Sequence, residues 1–149
     1  MKQIIVGADH GGVRLKDEIV QMLSQDTNLK VCDLGTHGNA PVDYPNIAEL
    51  VGMQVARDPD VFGILVCGSG IGISIAANKV KGIRAALVHD AYTARMSRQH
   101  NNANIICLGE RVIGSEVAKD AVKTFLESKF ESGRHQTRID LIASIETKC

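Results

Sequence analysis

The chain has 149 residues, of which 44% are hydrophobic and 23% charged, with 17 Lys plus Arg against 17 Asp plus Glu. This is the composition of one ordinary soluble globular domain, and it excludes disorder as a global description. Zero formal net charge and 3% aromatics speak against a basic nucleic-acid footprint or a base-stacking platform, and the longest apolar runs fall far short of the ~20 residues a membrane helix needs.

The N-terminal MKQIIVGADHGG has one lysine before a short apolar run that meets Asp9 and His10. It reads as a buried strand over residues 4–8 rather than a signal peptide, so the expected location is the cytoplasm. Leu15, Ile19, Met22 and Leu23 then recur at helical spacing. VCDLG (31–35) is a second strand, and THGNAPVDYP (36–45) a long polar loop. Ile47, Val51 and Val55 mark a second helix with Pro45 in its first turn. FGILVC (62–67) is a third strand, apolar almost throughout, as in a sheet covered on both faces. A glycine-rich turn leads into a helix over ISIAANKV (73–80). IRAALV (83–88) is the fourth strand, and Asp90 caps a helix running to about His100. NIICLG (104–109) is the fifth strand. Val117, Ala118, Ala121, Val122 and Phe125 line one face of the next helix, and Ile139, Ile142 and Ile145 mark a final helix from about Gln136.

Strand and helix alternate five times. Short connections between them predict an α/β fold: a single-domain, doubly wound three-layer sandwich over 1–149, with a five-stranded parallel sheet of Rossmann or flavodoxin-like type and a C-terminal helix. In such sheets ligands bind at the carboxyl ends of the strands, at the topological switch point. Cys32, Cys67, Cys107 and Cys149 are widely spaced, without C-x-x-C or zinc-ligand spacing, and read as reduced thiols. No metal and no cofactor is expected.

Four stretches can carry chemistry. Asp9-His10-Gly11-Gly12 follows the first strand; a carboxylate and an imidazole there can bind or protonate a polar ligand, or the segment is simply a turn. Cys67-Gly68-Ser69-Gly70-Ile71-Gly72 joins the third strand to a helix. Its glycines can turn backbone N–H groups toward one point as an anion nest, or merely make a tight connection. It is neither the dinucleotide fingerprint nor a P-loop. Cys67, beside a helix N-terminus, can be a nucleophile, a metal ligand or a proton-abstracting base, or an inert buried thiol. Arg98 to Asn102 holds His100, a proton donor and acceptor near neutral pH or a helix cap. In Gly133 to Arg138, Arg134 and Arg138 share a helical face; with His135 they make a phosphate clamp or a solvated basic patch.

In order and spacing, VGADHGG, VDYP, CGSGIGISIAANKV, GIRAA, ARMSRQHNNANI, LGERVIG and GRHQTRI closely resemble ribose-5-phosphate isomerase type B, in the ribose/galactose isomerase family. The resemblance covers nearly the whole chain. It implies metal-free interconversion of D-ribose 5-phosphate and D-ribulose 5-phosphate, by a homodimer (sometimes paired into tetramers) with two active sites at its interface. Cys67 would then move the proton between C1 and C2, and N–H groups of Gly68, Ser69, Gly70, Ile71 and Gly72 would stabilise the enediolate. Ser69 would shuttle the proton between the two oxygens, and His100 with Asp9 would open the furanose ring. His10, Arg134 and Arg138 would hold the phosphate; Asn101 and Arg111 would bind sugar or phosphate oxygens, and Tyr44 would complete the pocket. Many relatives carry Thr where this chain has Ser69. Another branch lacks the Cys and uses Glu at the position of Ile73, which here is apolar. The alternatives are an allose or galactose 6-phosphate isomerase and a non-catalytic sugar-phosphate-binding module.

Overall fold

A computed structural model describes residues 1–148. In chain order the elements are β1 (Lys2–Ala8), α1 (Val13–Leu23), β2 (Leu29–Asp33), α2 (Tyr44–Val55), β3 (Val61–Cys67), α3 (Ile71–Ala77), β4 (Ala85–Leu87), α4 (Ala91–Gln99), β5 (Ile105–Gly109), α5 (Ser115–Glu127) and α6 (Arg134–Lys148). The five strands pair in parallel, in the order β2-β1-β3-β5-β4. This is the expected doubly wound sandwich, with the last two strands exchanged relative to the flavodoxin order. Burial explains the exchange. All five residues of β5 are buried, which suits the interior, whereas β4 is three half-buried residues and closes the edge.

Two apolar layers sandwich the sheet. On one face Leu15 and Ile19 of α1, Ala94 of α4 and Phe125 of α5 pack on Ile4, Val6, Ile64 and Ile106. On the other, Val51 of α2 and Ile73 of α3 pack on Ile5, Leu65 and Ile105. Alternate strand residues thus feed opposite layers, and each large aliphatic side chain so buried contributes roughly 1.5–3 kcal/mol. Only His135 and Ile139 of α6 are buried, so this helix lies against the domain by its first turns.

Several ends are set by side chains. Asp90 and Thr93 form a reciprocal capping box at the start of α4, as expected of Asp90. Pro45 lies in the first turn of α2. The start of α1 has no such cap; Glu110, just after β5, accepts from the Leu15 N–H at 2.8 Å instead. β2 stops at Asp33, two residues before its expected end, because Asp33 Oδ1 takes the Gly35 N–H at 2.9 Å and Gly35 turns to φ 92°. Lys16 is wholly buried and bridges Asp17 and Asp33, each at 2.7 Å, fastening α1 to the end of β2. Cys149, read above as a reduced thiol, lies outside the described residues; Cys32, Cys67 and Cys107 are free thiols. Among the described residues no helix is long and apolar enough to cross a membrane.

Candidate active site

The chain leaves β1 toward β2 on one side and toward β3 on the other. The carboxyl ends of β1 and β3 therefore flank the switch point, where the two winding directions part and a crevice opens. Asp9 follows β1, and Cys67 ends β3. The Asp9 N–H donates to Val66 O at 3.2 Å, and its Oδ1 accepts from the Gly11 N–H at 2.9 Å. Those two bonds aim a buried carboxyl along the strand ends. Cys67 Sγ accepts from the Gly70 N–H at 3.1 Å.

The three glycines of the turn serve three purposes. Gly70 adopts φ 78°, and a Cβ there would lie 2.9 Å from the Leu108 carbonyl carbon. Only glycine takes that conformation in that space. A Cβ on Gly68 would press on the Arg111 guanidinium, and one on Gly72 would enter the Tyr44 ring. Bare backbone at these positions lets both side chains approach the turn. The result is a cleft of about 510 Å³ lined by Asp9, Tyr44, Cys67, Ser69, Gly72 and Arg111, among others. Of the turn's N–H groups, that of Gly70 is taken by Cys67 and that of Ile71 by Ser69 Oγ at 3.1 Å. Among the described residues, the N–H groups of Gly68, Ser69 and Gly72 meet no protein acceptor. His10 is exposed beside the same crevice, its Nδ1 accepting from the Val42 N–H at 3.2 Å.

A second group forms elsewhere. His100 closes α4, and its ring stacks on His135 with centroids 4.3 Å apart and planes 12° apart. Glu131 Oε1 lies 3.7 Å from His100 Nε2 and 3.6 Å from His135 Nε2. Asn101, Arg134 and Arg138 are exposed around this pair. The helix has begun by Arg134, so the two guanidiniums do share a face. His135 does not join them; it is buried under His100. Desolvation holds its imidazole below the ordinary range, the neighbouring His100 and Arg134 push the same way, and Glu131 opposes them. Arg98 proves structural: its guanidinium donates to Asn102 Oδ1 at 2.8 Å and to Ala103 O at 2.7 Å, and it lies 4.8 Å from the Phe62 ring centroid. It locks the turn that carries His100. Glu131 was missed by sequence reasoning; the i,i+4 spacing of Glu131 and His135 was the available signal.

One chain does not bring the two groups together. Cys67 is level with Gly109 at the end of β5, whereas the connection after α4 enters at the other end, where Asn104 O accepts from the Gly63 N–H. Gly63 and Cys67 are four residue steps apart along β3, about 13 Å of sheet. Asp9, His10, Tyr44, Cys67, the glycine turn and Arg111 form one cluster. His100, Asn101, Arg134 and Arg138 form another at the opposite end of the sheet.

An open parallel sheet with a thiol, a carboxyl and a guanidinium at its switch point is the architecture of the doubly wound α/β proteins, a class that binds small molecules at its strand ends. Residues 4–142 match the family model described as Ribose/Galactose Isomerase, and the chain belongs to that family. It is 46% identical over 148 residues to ribose-5-phosphate isomerase B of Escherichia coli (strain K12), covering 99% of each chain. Ribose-5-phosphate isomerase B of Clostridium thermocellum superposes with a TM-score of 0.95 at 51% identity, covering 98% of each chain. The Mycoplasma genitalium enzyme, solved with bound ribulose-5-phosphate, superposes with a TM-score of 0.94 at 43% identity, covering 99% of this chain and 97% of that one.

Proposed function

We propose that the chain, acting as one isomerase domain over 1–149, interconverts D-ribose 5-phosphate and D-ribulose 5-phosphate through an enediolate without a metal. The observation that carries this reading is Cys67 at the switch point, its sulfur in the same cleft as the free N–H groups of Gly68, Ser69 and Gly72. A C–H beside a carbonyl is a weak acid, so its removal needs a base and a partner for the oxyanion that forms. The Cys67 thiolate takes the proton from C2 of the open-chain aldose and returns it to C1. The unpaired N–H groups receive the enediolate oxygen, and the Ser69 hydroxyl passes the proton between O1 and O2. Gly70 and Ile71 act indirectly, by holding the Cys67 sulfur and the Ser69 hydroxyl.

Ring opening needs an acid and a base on the furanose, the roles of His100 and Asp9. His10, Arg134 and Arg138 hold the phosphate, Asn101 and Arg111 bind sugar or phosphate oxygens, and Tyr44 walls the cleft. These residues fall in the two clusters described above, so the reading requires a second copy of the chain. His100, Asn101, Arg134 and Arg138 of one protomer then face the Cys67 cleft of its partner. The uncovered edge strand β4 and the exposed Ile142 and Ile145 of α6, which line a groove of about 720 Å³ beside it, support such pairing. The pathway this implies is pentose phosphate interconversion in the cytoplasm.

The test is ketose formation from D-ribose 5-phosphate in EDTA, with D-allose 6-phosphate alongside. Turnover of the pentose is expected, with a loss of two orders of magnitude or more in Cys67→Ala while the variant remains folded. A Cys67→Ala rate above a tenth of normal removes the base assignment, and preferential turnover of the hexose replaces the substrate.

A further inference from the structure

We propose that His100, Glu131 and His135 form a binding site for Zn²⁺, taking the ion between two imidazole nitrogens and one carboxylate oxygen. The three residues come from three places: the end of α4, the connection between α5 and α6, and the first turn of α6. The Glu131 N–H donates to Gln99 O at 3.0 Å, which ties that connection to the end of α4. The near-parallel rings bring both Nε2 atoms to the same carboxylate oxygen, at 3.7 and 3.6 Å. Those separations exceed a hydrogen bond. They lie close to the spacing that a tetrahedral metal imposes on its ligands, about 3.3–3.4 Å for bonds of about 2.0–2.1 Å. One ligand atom from each residue lies within 4.8 Å of the other two. Closing the set takes shifts of up to about an ångström together with rotation of the two rings out of their stack, so that both Nε2 lone pairs converge on the ion.

Two imidazoles and a carboxylate suit a divalent transition ion, of which Zn²⁺ is the redox-inert representative, whereas Mg²⁺ and Ca²⁺ take oxygen ligands and Cu⁺ takes thiolates. Each neutral ring ligates through Nε2 with its proton on Nδ1. Three protein ligands leave a fourth tetrahedral position for water. In the single chain Glu131 is exposed and His100 half-buried, while His135 is the buried floor; in the pairing proposed above the ion reaches the set through the substrate cleft.

An ion held there occupies His100. It is therefore an inhibitor and not a cofactor, a consequence that rests on the ring-opening role proposed above, although the binding itself does not.

Calorimetric titration of ZnCl₂ into the full-length chain, stripped with EDTA and kept reduced, is expected to give about one ion per chain. Glu131→Gln and His135→Asn are expected to weaken it by at least about tenfold, a loss of ~1.4 kcal/mol, and Cys67→Ala to leave it intact. Co²⁺ in place of Zn²⁺ is expected to show no thiolate charge-transfer absorption. Absence of binding, indifference to Glu131→Gln and His135→Asn, or loss in Cys67→Ala with a thiolate band each overturns the site. Should His135→Asn fail to fold by circular dichroism, Glu131→Gln at the exposed position decides alone. Zn²⁺ is further expected to slow D-ribose 5-phosphate turnover in the wild type and to need at least about tenfold more metal in Glu131→Gln. Full binding without inhibition overturns the inhibitory role, and absence of turnover in EDTA counts against the proposed function instead.

Discussion

Cys67 and Cys107 stand on neighbouring strands, β3 and β5, and each is flanked by apolar residues. Sequence alone separates them only by the glycines after Cys67. In the fold, Cys107 is fully buried, and burial, then the neighbouring Cys67, pushes its thiol far above the ordinary range. Cys67 borders a cleft and takes a hydrogen bond from the Gly70 N–H. Iodoacetamide on the native protein is therefore expected to modify Cys67 well before Cys107, and D-ribulose 5-phosphate to slow that reaction. Peptide mapping by mass spectrometry reads both rates, and equal labelling of the two would contradict the distinction. His135 carries a second consequence at this scale. Its folded pKa lies below that of an unfolded histidine, about 6.5. Between those two values the unfolded chain binds more protons, so stability rises with pH there. The contribution is fully present above about pH 6.5 and is lost as pH falls toward the folded pKa. Melting temperatures taken from pH 7.5 down to 5 should fall in the wild type, and His135→Asn should flatten that slope. An unchanged slope would assign the acid sensitivity to other groups.

The connection from β3 to α3 is set by one backbone conformation. Gly70→Ala places a Cβ at φ 78° and within 3.1 Å of the Gly109 nitrogen. It is expected to cost about 1–3 kcal/mol, lowering the melting temperature by several degrees, and to cut activity further because it displaces the N–H held by Cys67. Gly38→Ala is the control: nothing lies within 4 Å of a Cβ there, so its effect should stay within about 0.5 kcal/mol. Equal losses at the two positions would show that the turn tolerates a side chain. The element types were legible because strand and helix periods are clear along most of the chain. Boundaries were less so, for reasons held in particular side chains. The fourth strand was expected from Ile83, but it begins at Ala85. Asn104 Oδ1 takes the Arg84 N–H and Asn78 Oδ1 takes that of Ala85, so side-chain amides replace the sheet's own bonds there. Asn78 also ends the helix expected to reach Val80: α3 stops at Ala77, where the Asn78 amide bonds back to Ser74 O. The meeting of Glu131 with His100 left no periodic trace, since it depends on a chain reversal through Ser132 and Gly133, both at positive φ.

At the scale of the molecule, strand order was beyond local reading. Placing β5 between β3 and β4 follows from which strand can be buried on both sides, a property of the whole sheet. The candidate residues other than Glu131 could be picked out from the sequence, but a sequence does not tell which of them one chain can present together. Cys67 and His100 lie at opposite ends of the sheet, and this yields a test that needs no structure of the assembly. In the two-fold dimer proposed above, each site would take Cys67 from one protomer and His100 from the other. A dimer pairing a Cys67→Ala chain with a His100→Asn chain then holds one site lacking both residues and one site lacking neither. Random re-pairing of equal amounts makes half of all dimers hybrids, each with one intact site out of two, so activity should recover to about a quarter of wild type. Each parent variant alone should stay near its own floor. Re-pairing by denaturation and refolding, followed by the ketose assay, reads the result directly. Activity that stays at the average of the two parents would mean that both residues act within one protomer. The separation along β5 would then have to be closed by a movement of α4 and α6 instead of by a second chain.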